Sequence, residues 1–247
     1  MAVETVNGIV VGCTDYRDND RMLTLFTAER GRVDCKARNC RKATAPLLAC
    51  AQPFVYGEYA VFLSGERGTV NAAEVKESFY ALREDPDRFL AASMAARLTL
   101  SVIEPDAPNE PLFSLLYHTL SFLAYSPAEP MDLLAGFLIR FCDRIGYRPV
   151  LTQCAVCRRD VRRDAVLFFS AEAGGTVCVA CPHGGKPVNR TALEAMRRML
   201  LLSDAELNQI RMSEPLRRAV LESEHAVLEH ALGPTDRGVQ LLEQILG

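Results

Sequence analysis

The chain has 247 residues, 49% hydrophobic and 24% charged, with a net charge of −3. This balance excludes a disordered or collagen-like chain, and no apolar run nears the roughly 20 residues of a membrane helix. Mild acidity alone predicts no polynucleotide partner, but the charge is uneven: residues 81–139 carry −5 and residues 140–190 carry +5.

In chain order, the first 80 residues read as β-structure. Short β-branched or apolar runs occur at Gly8–Val11, Met22–Thr27, Gly31–Lys36, Phe54–Leu63 and Thr69–Val75. Glycine-bearing turns separate several of them, including a hairpin signal at Ser64-Gly-Glu-Arg-Gly68. A brief helical piece is expected near Ala45–Ala51, between the third and fourth strands. Five strands in that order predict an OB-fold barrel over residues 1–80, of a kind whose face and loops bind oligonucleotides. A five-stranded barrel of the SH3 type fits the same pattern.

A basic island lies on this barrel. Arg30, Arg32, Lys36, Arg38, Arg41 and Lys42 face one acid, Asp34, within thirteen residues. Cations on a loop leaving the third strand can track a phosphate backbone and release its counterions; a solvated loop without a partner has the same composition. Asn39 suits a left-handed turn there. Tyr16, Phe54, Tyr56 and Tyr59 are the nearest rings for base stacking, though such rings also build barrel cores.

Residues 81–148 read as the first part of a helical domain. Asp85-Pro86 opens a helix that runs to about Ile103, and Asn109-Glu-Pro111 opens a second. A third spans Pro130–Ile145 and stops at Gly146. Phe137, Leu138, Phe141 and Ile145 share its core face, and Arg140 and Arg144 are expected on the opposite side. Past residue 188 helices resume as the C-terminal part of that domain, 189–247. Capping boxes are expected at Thr191-x-x-Glu194 and Ser203-x-x-Glu206. A long helix follows Ser213-Glu-Pro215, Gly233-Pro234 stops it, and a last helix covers Asp236–Leu246. His118, His225 and His230 have no partner spacing and read as ordinary side chains.

Between the two helical parts, residues 149–188 carry the sharpest signal. Cys154-Ala-Val-Cys157 and Cys178-Val-Ala-Cys181 are matched Cys-x-x-Cys turns twenty residues apart, a spacing that supplies four thiolates to one Zn²⁺. The segment Ala165–Phe169 is strand-like, and Gly174-Gly175 suits the reversal that returns the second turn, so the module reads as a zinc ribbon. Two disulfides, a redox pair or reduced thiols are the other readings; the start, Met1-Ala-Val-Glu4, has no secretory leader, and the reducing cytoplasm this implies disfavours disulfides. Four thiolates leave no open position for water, which makes the metal structural and sets a zinc hydrolase aside. His183 is surplus to a complete ligand set. Cys13, Cys35, Cys40, Cys50 and Cys142 lack ligand spacing and read as small buried hydrophobes. No phosphate-binding loop, dinucleotide fingerprint, nucleophile elbow or metalloprotease motif occurs, so no catalytic residues and no enzymatic activity are expected.

These residues together resemble the bacterial RecO family of recombination and repair mediators. The likeness runs through Gly8–Val11, Tyr16-x-x-x-Asp20, Leu23-x-x-Phe26-Thr27-x-x-x-Gly31, Lys36-Ala-Arg38 with Arg41-Lys42, and Gln52-Pro-Phe54. It continues through Phe141-Cys-Asp-Arg-Ile-Gly-Tyr-Arg-Pro149 and the ribbon motifs, Phe168-Phe-Ser170 and Gly174-Gly175 included. Asn39-Cys40 depart from the family's usual Gly-Ala, and the acidic net charge departs from many basic relatives. The resemblance implies an α+β protein with an N-terminal OB-fold, a helical domain and an embedded four-cysteine zinc module. It also implies binding to single- and double-stranded DNA, strand annealing, and action with RecR to load RecA onto strands coated by single-strand binding protein, in the bacterial cytoplasm at the nucleoid. On this reading Arg32, Lys36, Arg38, Arg41 and Lys42 contact phosphates. A second basic patch (Arg140, Arg144, Arg148, Arg158, Arg159, Arg162 and Arg163) extends the DNA track or receives the acidic tail of single-strand binding protein. The competing expectation is a zinc-stabilised protein-interaction scaffold with little DNA binding of its own.

Overall fold

Five strands close the N-terminal barrel: β1 (Val3–Tyr16), β2 (Asp20–Thr27), β3 (Gly31–Ala37), β4 (Tyr56–Ser64) and β5 (Arg67–Glu77). The computed structural model describes residues 3–64, 67–181 and 184–247; the hairpin residues Gly65 and Glu66, and His183, lie outside the described residues. The strand order β1-β2-β3-β5-β4, closed by β1 against β4, with β3 and β5 parallel, is that of an OB-fold. β1 is far longer than its β-branched run suggests, because it pairs with both β2 and β4 and bends at an irregularity between Val10 and Gly12. The expected helix near Ala45–Ala51 is instead a chain of turns, closed by Leu48 N–H to Ala45 O and Ala51 N–H to Leu47 O. One bond spans three residues and the other four, so no continuous helical ladder develops although residues 38–55 separate the two strands.

The barrel interior is apolar: Val10, Leu23, Leu25, Val55 and Val61 fill it. Tyr59 joins them with its hydroxyl donating to Cys50 O at 2.9 Å. Cys35, Cys40 and Cys50 are buried there, as small hydrophobes are, and burial pushes the Cys35 thiol up to about 12. Two helices belong to the same unit, Met1–Tyr125. They are α1 (Pro86–Val102), capped by the Asp85 carboxylate on the Asp87 and Arg88 amides, and α2 (Glu110–Tyr125). Edge-to-face ring pairs Phe54–Phe89, Phe26–Phe113 and Tyr56–Tyr117 lock them onto the barrel. Gly31, with φ +67, lets Arg32 N–H reach Glu104 O at 3.0 Å; a Cβ there would sit 2.4 Å from Ala107 O.

The second unit, Ser126–Gly247, is built around α3 (Pro130–Arg144). α4 (Arg190–Leu201), a 3₁₀ turn (Asp204–Gln209), α5 (Glu214–Leu232) and α6 (Arg237–Leu246) complete its helices. α3 is buried nearly all round rather than on one face, and Arg140 is buried with it, so the expected exposed side does not exist. α4 is capped two residues earlier than expected, by Asn189 accepting from Ala192 N–H. The Ser203 box does form, the Glu206 carboxylate accepting from Ser203 N–H and Oγ. No described helix is long and apolar enough to cross a membrane.

Candidate metal centre and nucleic-acid groove

Three short strands, β6 (Leu167–Ser170), β7 (Gly175–Cys178) and β8 (Lys186–Val188), form a sheet in the order β7-β6-β8. The first cysteine turn is closed by Arg158 N–H to Cys154 O (2.9 Å) and Cys154 N–H to Arg159 O (2.7 Å). Ala155 N–H to Thr176 O (2.8 Å) ties it to β7, which carries Cys178 at its end. Gly175 permits this union. Its φ is +142, and a Cβ would lie 2.3 Å from Val150 O, where Val150 and Gly175 pair.

These constraints bring the Sγ atoms of Cys154, Cys157, Cys178 and Cys181 within 4.8 Å of one another. The Cys157–Cys178 separation is 3.8 Å, the edge of a tetrahedron of about 3.8 Å that metal–sulfur bonds of about 2.3 Å define. Burial opposes a charge on Cys154, but the amides of Cys157, Cys178 and Val156 overcome it and hold the thiol down at about 6. The Arg159 guanidinium lowers Cys178. Hydrogen bonding to Cys157, with burial and the other sulfurs adding to it, drives Cys181 up to about 12. Four thiolates this close cannot all ionise alone; a dication supplies the missing charge. Donor type, number and spacing therefore fit a tetrahedral metal.

The barrel offers a separate concavity. A groove of about 580 Å³ opens across β1, β2, β3 and the start of β5, lined by Tyr16, Met22, Thr24, Arg32, Lys36, Arg67 and Thr69 among others. Tyr16 is partly exposed, with Lys36 Nζ 4.8 Å and the Arg17 guanidinium 5.2 Å from its ring centre. Phe54 and Tyr59 are core, and Tyr56 packs on Tyr117. Arg32 and Lys36 line the groove but are paired, to Asp34 at 2.8 Å and Asp20 at 2.9 Å. Asp20 is lowered first by the Asn39 N–H and then by Lys36. Asn39 takes the left-handed turn, φ 53. Arg41 binds Asp15 at 3.2 Å, whereas the Arg38 and Lys42 side chains are exposed without an ion pair among the described residues. Arg67 is a groove residue that the sequence reading missed. The parallel register Cys35 to Gly68 carries it there, and only OB topology would reveal that pairing.

The second island divides. Arg140 is buried, donating to Asp204 at 2.6 Å and to the Leu200 and Leu202 carbonyls, and Arg144 shares Asp204 at 3.1 Å. Asp204 draws both toward the helical unit, and Arg140, buried and bonded to the end of α4 as well, leaves the expected surface patch. Arg148 pairs with Asp143, Arg159 with Asp164 and Arg162 with Asp160. Arg158 and Arg163 are exposed, with no ion pair among the described residues.

Residues 1–79 match the family described as Recombination protein O N terminal, and residues 83–238 match Recombination protein O C terminal. A DNA repair protein RecO from Desulfitobacterium hafniense (strain Y51) is 32% identical over 94% of this chain and 86% of its own length. Those from Desulforamulus reducens and Pelotomaculum thermopropionicum are 27% identical over 99% and 96%, and 31% identical over 89% and 86%. With both family segments matched in order across the barrel and the cysteine-bearing unit, the chain belongs to the RecO family of DNA repair proteins.

Proposed function

We propose that this chain is a non-enzymatic DNA-binding recombination mediator. It grips single strands in the barrel groove, anneals complementary strands, and with RecR helps load RecA onto DNA coated by single-strand binding protein. The observation that carries the reading is the groove on an OB barrel, where Tyr16 offers a ring to a base and Arg32, Lys36 and Arg67 line the path of a backbone. Contacts to phosphate rather than base edges suit a mediator that must accept any sequence. Neutralising like-charged strands also lowers the repulsion that opposes annealing. Arg38 and Lys42, free of acids among the described residues, extend this cationic track, and Arg41 joins it by releasing Asp15. Zinc is the metal that four cysteine thiolates suit best; it holds the ribbon and takes no part in turnover.

Fluorescence anisotropy with a labelled single-stranded oligonucleotide across salt tests this. Each phosphate contact removed should flatten the log–log salt slope by about 0.7. The double variant Arg38→Ala/Lys42→Ala should therefore bind more weakly and with a slope shallower by about 1.4. An unchanged slope rejects these contacts. A second reading, a protein-interaction scaffold, is favoured by the pairing of Arg32, Lys36 and Arg41 with Asp34, Asp20 and Asp15, which offsets much of the island's charge. Partner binding that persists while oligonucleotide binding is absent at low salt would select it.

A further inference from the structure

The Ser126–Gly247 unit holds a cavity that neither the sulfur cluster nor the barrel groove uses. Its volume is about 440 Å³, and it lies between the β6–β8 side of the ribbon and one face of α5. That size falls within the roughly 300–1,000 Å³ of ligand pockets. Where α5 lines it, the small residues Ala219, Ser223 and Ala226 recur at helical spacing. The Ser223 hydroxyl turns back to donate to Ala219 O at 3.0 Å, so it offers the cavity no free donor. From the sheet side the lining is apolar, with Phe169 on β6 and Val188 on the adjoining β8. Small side chains on the helix facing this apolar wall leave the space open.

The charge of the same cavity is one-sided. Glu172, Glu222 and Glu229 line it against one lysine, Lys186, and all three carboxylates are exposed. Glu222 pairs with Arg218 at 3.1 Å, whereas Glu172 and Glu229 make no ion pair among the described residues. His230 also lines the cavity, its ring edge-on to Tyr147. Exposed carboxylates alone make a solvated surface. Here they border apolar walls, where a cation on a hydrocarbon stem satisfies both. The free edge of the sheet is not the recognising element. β8 is its outer strand, and Pro187 leaves the centre of that strand without a donor for a further one. Recognition therefore falls to side chains.

We propose that this cavity docks a basic protein segment, whose lysine or arginine side chains pair with Glu172 and Glu229 while aliphatic side chains between them fill the space over Ala219 and Ala226. Charge complementarity selects a cationic partner. Nucleic acid is excluded because its phosphates would face three carboxylates. A small polycation is a poorer match, because it would meet the carboxylates and leave the apolar walls uncovered. The site lies wholly within the Ser126–Gly247 unit, so the inference stands apart from the reading of the barrel groove.

The test uses the full chain and a fluorescein-labelled synthetic peptide of alternating lysine and leucine, with a glutamate–leucine peptide, spermidine and a single-stranded oligonucleotide as comparisons. The basic peptide should bind, and the acidic one should not. Two variants attack the site in different ways. Glu172→Gln/Glu229→Gln removes the charge and keeps the shape; Ala226→Leu keeps the charge and fills the space. Each should weaken basic-peptide binding by about tenfold or more, as loss of an interface anchor does. Leucine is a strong helix former and Ala226 is only half-buried, so Ala226→Leu should melt no lower than the parent and its loss of binding is not a loss of fold. Oligonucleotide affinity, measured separately, should be unchanged in both. The proposal is overturned if the basic peptide fails to bind the parent protein, if the acidic peptide binds as well, or if either variant binds the basic peptide as the parent does. Displacement of the peptide by spermidine at equal total charge would assign the site to small polycations, and loss of the oligonucleotide by the variants would assign it to nucleic acid; either result also overturns it.

Discussion

Glu224, on α5, is fully buried, and neither carboxylate oxygen has a hydrogen-bond partner among the described residues. Burial raises its pKa well above the ordinary value, which favours the protonated form in the folded protein. The unfolded chain ionises it above about pH 4.3. Its contribution to stability is therefore full below that value and is lost as pH rises toward the folded-state pKa. Acids lowered by partners, Asp160 (to about 2, chiefly by Arg162) and Asp164 by Arg159, act in the opposite sense: their contribution is present at neutral pH and lost in acid. Glu224→Gln isolates the first effect. In denaturant titrations at pH 5 and pH 8, the parent should lose more stability than the variant on going to pH 8; equal losses would show that Glu224 finds a partner or ionises freely. At this scale the four-cysteine cluster was legible because matched spacing in the sequence becomes proximity of the sulfurs. The partners of Arg32, Lys36 and Arg140 were not, since Asp34 pairs across the same strand face and Asp20 and Asp204 arrive through tertiary pairing.

The ribbon shows how one backbone position can govern an element. Gly175 brings β7 against Val150, and through Thr176 holds the first cysteine turn. Gly175→Ala places a Cβ against a backbone carbonyl at a positive φ, and should cost at least about 1 kcal/mol. It should also reduce bound zinc, because the two turns no longer meet in register. Thermal unfolding with metal quantification checks both, and a variant with parental melting and full zinc would contradict this account of the turn. Strands and most helices were readable from β-branched runs, prolines and caps. The turn-built connection at Ala45–Ala51 and the length of β1 were not. The first lacks any periodic signal, and the second depends on a strand pairing along different stretches with β2 and β4. α3 misled through its arginines: local pattern places cations outward, but Asp204 pairs with both, holding Arg140 buried and Arg144 half-buried.

For the whole molecule, the account combines a metal-clamped module with a barrel that holds polynucleotide, and the two parts can be perturbed separately. Chelation should strip the metal and lower the melting temperature of the Ser126–Gly247 unit, since metal binding free energy is folding free energy in such modules. Barrel signals in the Met1–Tyr125 unit should be unaffected by the chelator. Circular dichroism melts with and without chelator test this; a melt indifferent to metal removal would contradict a structural role for it. The most direct measurement of the central claim is amide hydrogen exchange of the full chain with and without saturating single-stranded oligonucleotide in low salt. The account predicts new protection along the groove, in residues 12–16, 22–24, 32–42 and 67–69. Protection confined to other segments, or none at all, would contradict it.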